Sequence, residues 1–312
     1  MDIFKLTTRP DATLFFKSHD ANDKKCGDIV VDKESDYESC RFVIVGCPQD
    51  EGVRRNQGRP GAAEAPDKIR QALYKLSAPA KLQEGLLFDA GNTLIGETLE
   101  ETHQNQTQVV AQLVKDDKIA IILGGGNDIS YPDGVALSKR YSKFLAINVD
   151  SHFDVRENNQ RNSGTPYRQL LEEKIIDPKH FYELAIQPLA NSAVYSDYLK
   201  KKKVTAVMLE QLRKKGVEKT LKYILKSDKS KSIFWGIDMD SVRSSDAPGV
   251  SASYPTGLTA EEILSITAIA GQDKRSRILE ISEVNPKFDI DGRTCKLAAL
   301  LIITFLRNQN AL

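Results

Sequence analysis

The chain is poor in the residues that most quickly betray a function. Its 312 residues include four histidines, four cysteines and a single tryptophan. Cys26, Cys40, Cys47 and Cys295 form no C-x-x-C pair and no zinc-finger spacing. So few over this length make no disulfide scaffold, and a reducing compartment fits best. Charge of one sign is lacking too: 44 basic against 43 acidic residues leave +1, so no global field recruits nucleic acid or an anionic membrane. The only basic block, residues 200–203, reads as a solvated face. The longest apolar run, LAALLIITFL, falls far short of the roughly 18 residues that span a bilayer. The opening MDIFKLTTRPDATLFF has no continuous apolar stretch of the kind a secretory leader carries. A cytoplasmic protein is expected. Pro/Ser/Gly-rich linkers and internal repeats are missing as well, so the expectation is one domain over 1–312 with a polar surface excursion at about 17–40.

What is present is a regular alternation. With 40% hydrophobic and 28% charged residues the composition suits a soluble globular chain. Short β-branched or aromatic runs recur at RFVIVGCP (41–48), GLLFDAG (85–91), IAIILGGG (119–126), FLAINVD (144–150), HFYELAI (180–186), VTAVMLE (204–210), SIFWGID (232–238) and ILEISEVNP (278–286). Several are apolar without alternation, as strands covered on both faces are. Longer amphipathic stretches such as LEETHQNQTQVVAQLVKD and TAEEILSITAIAGQ separate them. Eight strands alternating with helices predict an α/β protein with a mainly parallel sheet. Open sheet and closed barrel fit the pattern equally.

In both arrangements function sits at the carboxyl ends of the strands. There the sequence places Asn127 and Asp128 after three glycines, then Asp150, His152 and Asp154, then Asp238 and Asp240, and last Glu283, Asn285 and Pro286. Residues i, i+2 and i+4 of an extended chain share a face, so Asp150, His152 and Asp154 can converge, as can Asp238 and Asp240. If the sets meet, four aspartates crowd one cavity and need compensating cations. Two divalent ions supply the matching charge. A shell rich in carboxylates and poor in histidine suits Mn²⁺ or Mg²⁺ better than Zn²⁺. Two such ions can activate a water for hydrolysis at a planar carbon. Each piece alone has a plainer reading, since Asp at a strand exit is commonly a turn former or helix cap. The glycines match neither GxGxxG nor a P-loop, which leaves a nucleotide module poorly supported. Coincidence at several strand exits favours the metal centre.

GGGND (124–128), DSHFD (150–154), DMD (238–240) and EVNP (283–286) together resemble the arginase or ureohydrolase superfamily. The similarity runs from about residue 41 to 306. It implies a three-layer α/β/α fold around an eight-stranded mainly parallel sheet, two Mn²⁺ ions per chain, and hydrolysis of a carbon-nitrogen bond in an amidine or guanidine. DEGVRRNQGRPGAAEAPDKIR (50–70), RNSGTPYRQL (161–170) and APGVSASYPTGL (247–258) are similar to the formimidoylglutamase branch, which cleaves N-formimidoyl-L-glutamate to L-glutamate and formamide in histidine catabolism. Arginases carry a second catalytic histidine in the loop corresponding to 163–168, and no residue there offers one.

By position the resemblance makes Asp150 and Asp238 bridges between both metals. His152 and Asp240 would complete one site, and Asp154 the other, where it would also move protons. Glu283 would face the amidinium of the substrate. Arg156 and Arg168, with Arg54 or Arg55, are candidates for the glutamate carboxylates, and Ser163 for the substrate loop. Trimers or hexamers of one chain are implied, with a small-molecule partner and neither nucleic acid nor membrane.

The sequence departs from that pattern at Asn127, where the superfamily places the first histidine ligand. Of the histidines only His152 lies in a matching motif; His19, His103 and His180 do not. An amide oxygen is a weaker ligand for Mn²⁺, so one ion or none becomes an open outcome. Ser151 stands where alanine is usual. Two readings follow: a Mn²⁺-dependent amidine hydrolase that tolerates Asn127, or an arginase-like protein with impaired metal binding that serves as a binding or regulatory protein.

Overall fold

A computed structural model describes residues 2–20, 22–82 and 84–309. Among the described residues nine strands form one sheet: β1 (Thr7–Thr8), β2 (Phe42–Gly46), β3 (Leu87–Thr93), β4 (Ile119–Leu123), β5 (Leu145–Val149), β6 (Phe181–Ile186), β7 (Thr205–Met208), β8 (Ile233–Asp238) and β9 (Ser276–Ser282). Their order is β1-β3-β2-β4-β9-β8-β5-β6-β7. All neighbours from β3 to β7 run parallel, and β1 alone is antiparallel, pairing Thr7 with Thr93. The sheet therefore has two edges and is open, which decides between the two arrangements the pattern allowed. The eight expected strands are all present, and β1 adds a ninth.

The apolar runs become strands because helices cover both faces. Phe42 and Ile44 of β2 enter one core with the helices Ala65–Leu73, Ala260–Gln272 and Arg293–Arg307. Val43 and Val45 point the other way, into a second core with Leu99–Lys115, Ser130–Ser138 and Pro166–Glu172. This is a three-layer α/β/α arrangement. Two of the helices start on reciprocal caps: Thr98 Oγ accepts the N–H of Glu101 at 3.1 Å, and Thr259 Oγ that of Glu262 at 3.1 Å, while each glutamate returns to its cap backbone. Such a cap stabilises by about 1 kcal/mol. Within 17–40, Cys26–Ile29 forms a short helix with Cys26 and Ile29 buried, and Val31 bridges Phe88 of β3. No helix among the described residues is long and apolar enough to cross a membrane.

The strand order positions the site. After β4 the chain leaves a gap and resumes at β5, and the later strands β8 and β9 fill it. The carboxyl ends of β4, β9, β8 and β5 thus lie side by side at the point where the order reverses, where open α/β sheets form a crevice.

Candidate metal centre

The side chains at these four exits converge through tight turns, and extended alternation plays no part. β5 ends at Val149. The N–H of His152 then donates to Asp150 Oδ1 at 2.7 Å, and Asp154 takes φ 46°. Asp238 is the last residue of β8, and its Oδ1 accepts the N–H of Asp240 at 2.8 Å, opening a 3-10 turn that swings Asp240 back. Glu283, after β9, takes φ 61°. A left-handed conformation in a non-glycine residue costs about 1–3 kcal/mol and is held only where the surroundings impose it. Here it occurs twice among residues that face the same cavity.

Two clusters result. Asp150, His152 and Asp240 form one, and Asp150, Asp154 and Asp238 the other, with the ligand atoms of each within 4.8 Å of one another. Asp150 belongs to both, as a bridging carboxylate must; Asp238 enters only the second. His152 Nδ1 lies 3.0 Å from Asp240 Oδ2 and 3.5 Å from Asp150 Oδ1. The Asp240 carboxylate is the main cause that holds the His152 imidazole well above its usual range. Burial, then the neighbouring acids, push Asp150 and Asp238 well up. Burial does the same to Glu283, and it pushes Asp154 up to about 6. Buried Asp240 Oδ1 has no hydrogen-bond partner. Acid oxygens forced toward protonation, one of them orphaned, are the donor set that hard divalent cations satisfy. The residues fit such ions.

Asn127 occupies the same floor. Its Nδ2 donates to Asp154 Oδ2 at 2.6 Å and reaches Asp150 Oδ2 at 3.3 Å, while its backbone N–H donates to Glu283 Oε1 at 2.9 Å. The amide thus turns its hydrogens, not its oxygen, toward the second cluster. The glycines before it serve close packing: a Cβ on Gly125 would lie 1.7 Å from Gln49 O, and its own carbonyl accepts the N–H of Glu283 at 2.9 Å. They bring the exits of β2, β4 and β9 together.

Above the acids opens a cavity of about 460 Å³ whose lining includes Arg59, Arg156, Ser163, Asn191, Tyr195 and Glu283, with His152, Asp154, Asp238 and Asp240 at its base. Arg156 and Ser163 face it. Arg168 does not line it: its guanidinium lies 4.3 Å over the Tyr198 ring and 3.3 Å from Glu157. Arg54 and Arg55 are likewise turned away, paired with Asp50 at 3.1 Å and Glu100 at 2.7 Å. Arg59 was missed. It lies within the 50–70 segment, just past Arg54 and Arg55, and its guanidinium is fixed over Phe288 at 4.0 Å with Nη2 donating to Val250 O at 2.6 Å. Asn191 and Tyr195 follow β6, where no acidic or histidine motif marks the exit.

Comparison with known proteins finds relatives along most of the chain. A profile of the Arginase family matches residues 40–307. The formimidoylglutamase of Bacillus subtilis (strain 168) is 37% identical over 261 residues, 80% of this chain and 82% of that protein. That of Staphylococcus carnosus (strain TM300) is 34% identical over 272 residues, 84% and 85% of the two chains. Among solved structures, the Bacillus subtilis formimidoylglutamase superposes with a TM-score of 0.87 at 31% identity, over 96% of this chain and 95% of that one. The Trypanosoma cruzi formiminoglutamase with Mn2+2 does so with a TM-score of 0.84 at 33% identity, over 91% and 97%. An asparagine-to-histidine variant of the trypanosomal enzyme, also with Mn2+2, gives 0.82 at 33% identity, over 87% and 93%.

Proposed function

This chain belongs to the arginase family, and from that premise we propose that it is a metal-dependent hydrolase of a linear amidine, cleaving N-formimidoyl-L-glutamate with water to L-glutamate and formamide. One observation carries the reading: two oxygen-rich clusters that share Asp150 form the base of a cavity faced by arginines. The formimidoylglutamase relatives supply the substrate. The trypanosomal relative with Mn2+2 supports Mn²⁺ as the metal, and the pair of clusters supports two ions per chain.

Asp150, His152 and Asp240 would hold one ion, and Asp150, Asp154 and Asp238 the other. When bound, such ions supply Lewis acidity and a water acidic enough to attack at neutral pH. The chain's own residues do the rest. Glu283 faces the cavity, where its carboxylate pairs with a cationic amidine and fixes the carbon over the acids. Asp154, facing the cavity beside the other acids, accepts the proton lost by the attacking water and passes it at its Oδ to the departing nitrogen, so the amine leaves neutral. Arg59 and Arg156 offer forked donors to the two carboxylates of the glutamate part, holding it away from the metal end. Purified protein given Mn²⁺ and N-formimidoyl-L-glutamate releases formamide and glutamate in equal amounts. No turnover at any Mn²⁺ concentration sinks the proposal.

A second reading is favoured by one observation: the Asn127 NH₂ group, not an oxygen, meets Asp150 and Asp154. On that reading metal binding is impaired, and the chain binds amidines or partners without turning them over. Formimidoylglutamate bound with no formamide released, and fewer than one Mn²⁺ per chain, is its signature.

A further inference from the structure

The floor of the site holds an asparagine whose hydrogen-bond capacity is filled from both sides. Toward the cavity its Nδ2 donates to Asp154 and Asp150. Away from it, Oδ1 is met by two hydroxyls, Ser130 Oγ at 3.0 Å and Ser282 Oγ at 3.0 Å. Ser130 Oγ is also hydrogen-bonded to Glu280 Oε1 and lies 3.2 Å from the Tyr167 hydroxyl. Asn127, Asp150 and Tyr167 are buried, Ser130, Ser282 and Glu280 fully so, and Asp154 is half-buried.

An ionised carboxylate only accepts and an NH₂ group only donates, so the observed amide orientation is the one the acids select. In that orientation position 127 presents two hydrogens to any cation held by Asp150, Asp154 and Asp238, and contributes no ligand. A half-turn about the terminal sp³–sp² torsion, which is two-fold and broad, exchanges the ends of the amide. The oxygen then faces the cation and the NH₂ faces the two serines. Aliphatic neighbours would leave those donors buried and unpaired, a penalty of the order of the desolvation of the group. A hydroxyl serves either orientation, because it both donates and accepts. Ser130 has the second requirement as well: when its oxygen accepts from the amide, its proton has Glu280 Oε1 to go to.

We infer that Ser130 and Ser282 are positioning residues that allow Asn127 to turn its amide oxygen onto a divalent cation, and so decide whether residue 127 acts as a ligand. They touch neither metal nor substrate and act only through the amide. The inference rests on the proposal that the acid clusters hold Mn²⁺, and it explains how a chain with asparagine at this position keeps its second ion.

The test is a Mn²⁺ titration of the full chain, with free Mn²⁺ followed by electron paramagnetic resonance, comparing wild type, Ser130→Ala, Asn127→Ala and the double variant. Ser130→Ala weakens the looser Mn²⁺ site by roughly three- to tenfold, because the unturned oxygen keeps Ser282 as a partner whereas the turned amide is left with a donor unpaired. In the Asn127→Ala background, with no amide to orient, the same substitution changes affinity by less than about twofold. A crystal soaked in Mn²⁺ shows Asn127 Oδ1 directed at the ion. Ser282→Ala, which leaves the Glu280 contact in place, gives the same comparison if Ser130→Ala lowers the folded yield. Equal losses in both backgrounds, which mark Ser130 as a support of the fold alone, overturn the inference, and so does the absence of loss in either. Wild type that takes up no Mn²⁺ removes the metal proposal and the inference together, whereas uptake indifferent to Ser130 removes only the inference.

Discussion

Replacing Asp238 with asparagine moves two measurements in opposite directions. Asp238 shares its cluster with Asp150 and Asp154, with ligand atoms within 4.8 Å. At that distance two ionised carboxylates repel by roughly 3 kcal/mol at an effective dielectric near 20. Burial and these neighbours hold Asp238 well above the usual carboxylate range, so part of the repulsion is already relieved by bound protons. About 2 kcal/mol is left to recover on substitution. The amide that replaces the carboxylate would keep an Oδ1 to accept from the N–H of Asp240, so the local turn survives. With an unfolding entropy of about 2 cal/mol/K per residue, 1 kcal/mol is worth about 1.5 °C in a chain of this size. Asp238→Asn without Mn²⁺ should therefore melt about 3 °C above wild type at pH 8. At a Mn²⁺ concentration about 100 times the dissociation constant of the site that includes Asp238, that site adds about 2.7 kcal/mol, or about 4 °C, to wild type and almost nothing to the variant, which keeps only the gain from the Asp150, His152 and Asp240 cluster. Differential scanning calorimetry with and without Mn²⁺ reads both. A variant that melts below wild type without metal, or that gains as much from Mn²⁺, refutes the idea that these acids are kept together for a cation.

Three other substitutions probe separate parts of the account. Asn127→His offers an imidazole nitrogen where the amide hydrogens now lie, and isothermal titration should show Mn²⁺ bound roughly 10–100-fold more tightly at the looser site; unchanged affinity means that position 127 does not face the ion. Arg156→Lys should raise KM for formimidoylglutamate roughly tenfold or more with kcat little changed, because a forked contact to a carboxylate is lost, while Arg168→Lys, outside the cavity, should leave both parameters alone. Asp133 is fully buried beside Glu280, and burial pushes it up to about 7. Its folded value lies above its unfolded one, so its contribution to stability is complete below about pH 4 and is lost as pH rises through about 7. Asp133→Asn, which cannot ionise, should gain melting temperature relative to wild type as pH goes from 4 to 8, and a constant difference across that range contradicts the assignment.

Strands were legible where burial on both faces forced continuous apolar runs. Ile119–Leu123 is fully buried and reads as a strand from its residues alone. Thr7–Thr8 could not be read so, because two threonines carry no pattern and become a strand only by pairing with Asn92 and Thr93 at the sheet edge. Open sheet and barrel were indistinguishable because strand order depends on which crossovers leave gaps, and the gap filled by β8 and β9 has no local signal. In the site, the acids are legible because they follow apolar runs, but a shared strand face is not what gathers them: the turn at Asp150 and the left-handed Asp154 bring them together. The buried acids Glu183 and Glu280 carry no signal in the sequence because each sits inside a run that reads as apolar. Arg59, Asn191 and Tyr195 reach the cavity from segments far apart in sequence, which only the tertiary fold reveals.

The central claim is that the carboxyl ends of β4, β9, β8 and β5 form a binuclear cation site with one weakened position. Elemental analysis of manganese per chain, after equilibration at increasing free Mn²⁺ and rapid desalting, tests it most directly. The account predicts one ion retained at low Mn²⁺ and an approach to two as the concentration rises. Manganese that stays at background at every concentration would contradict it.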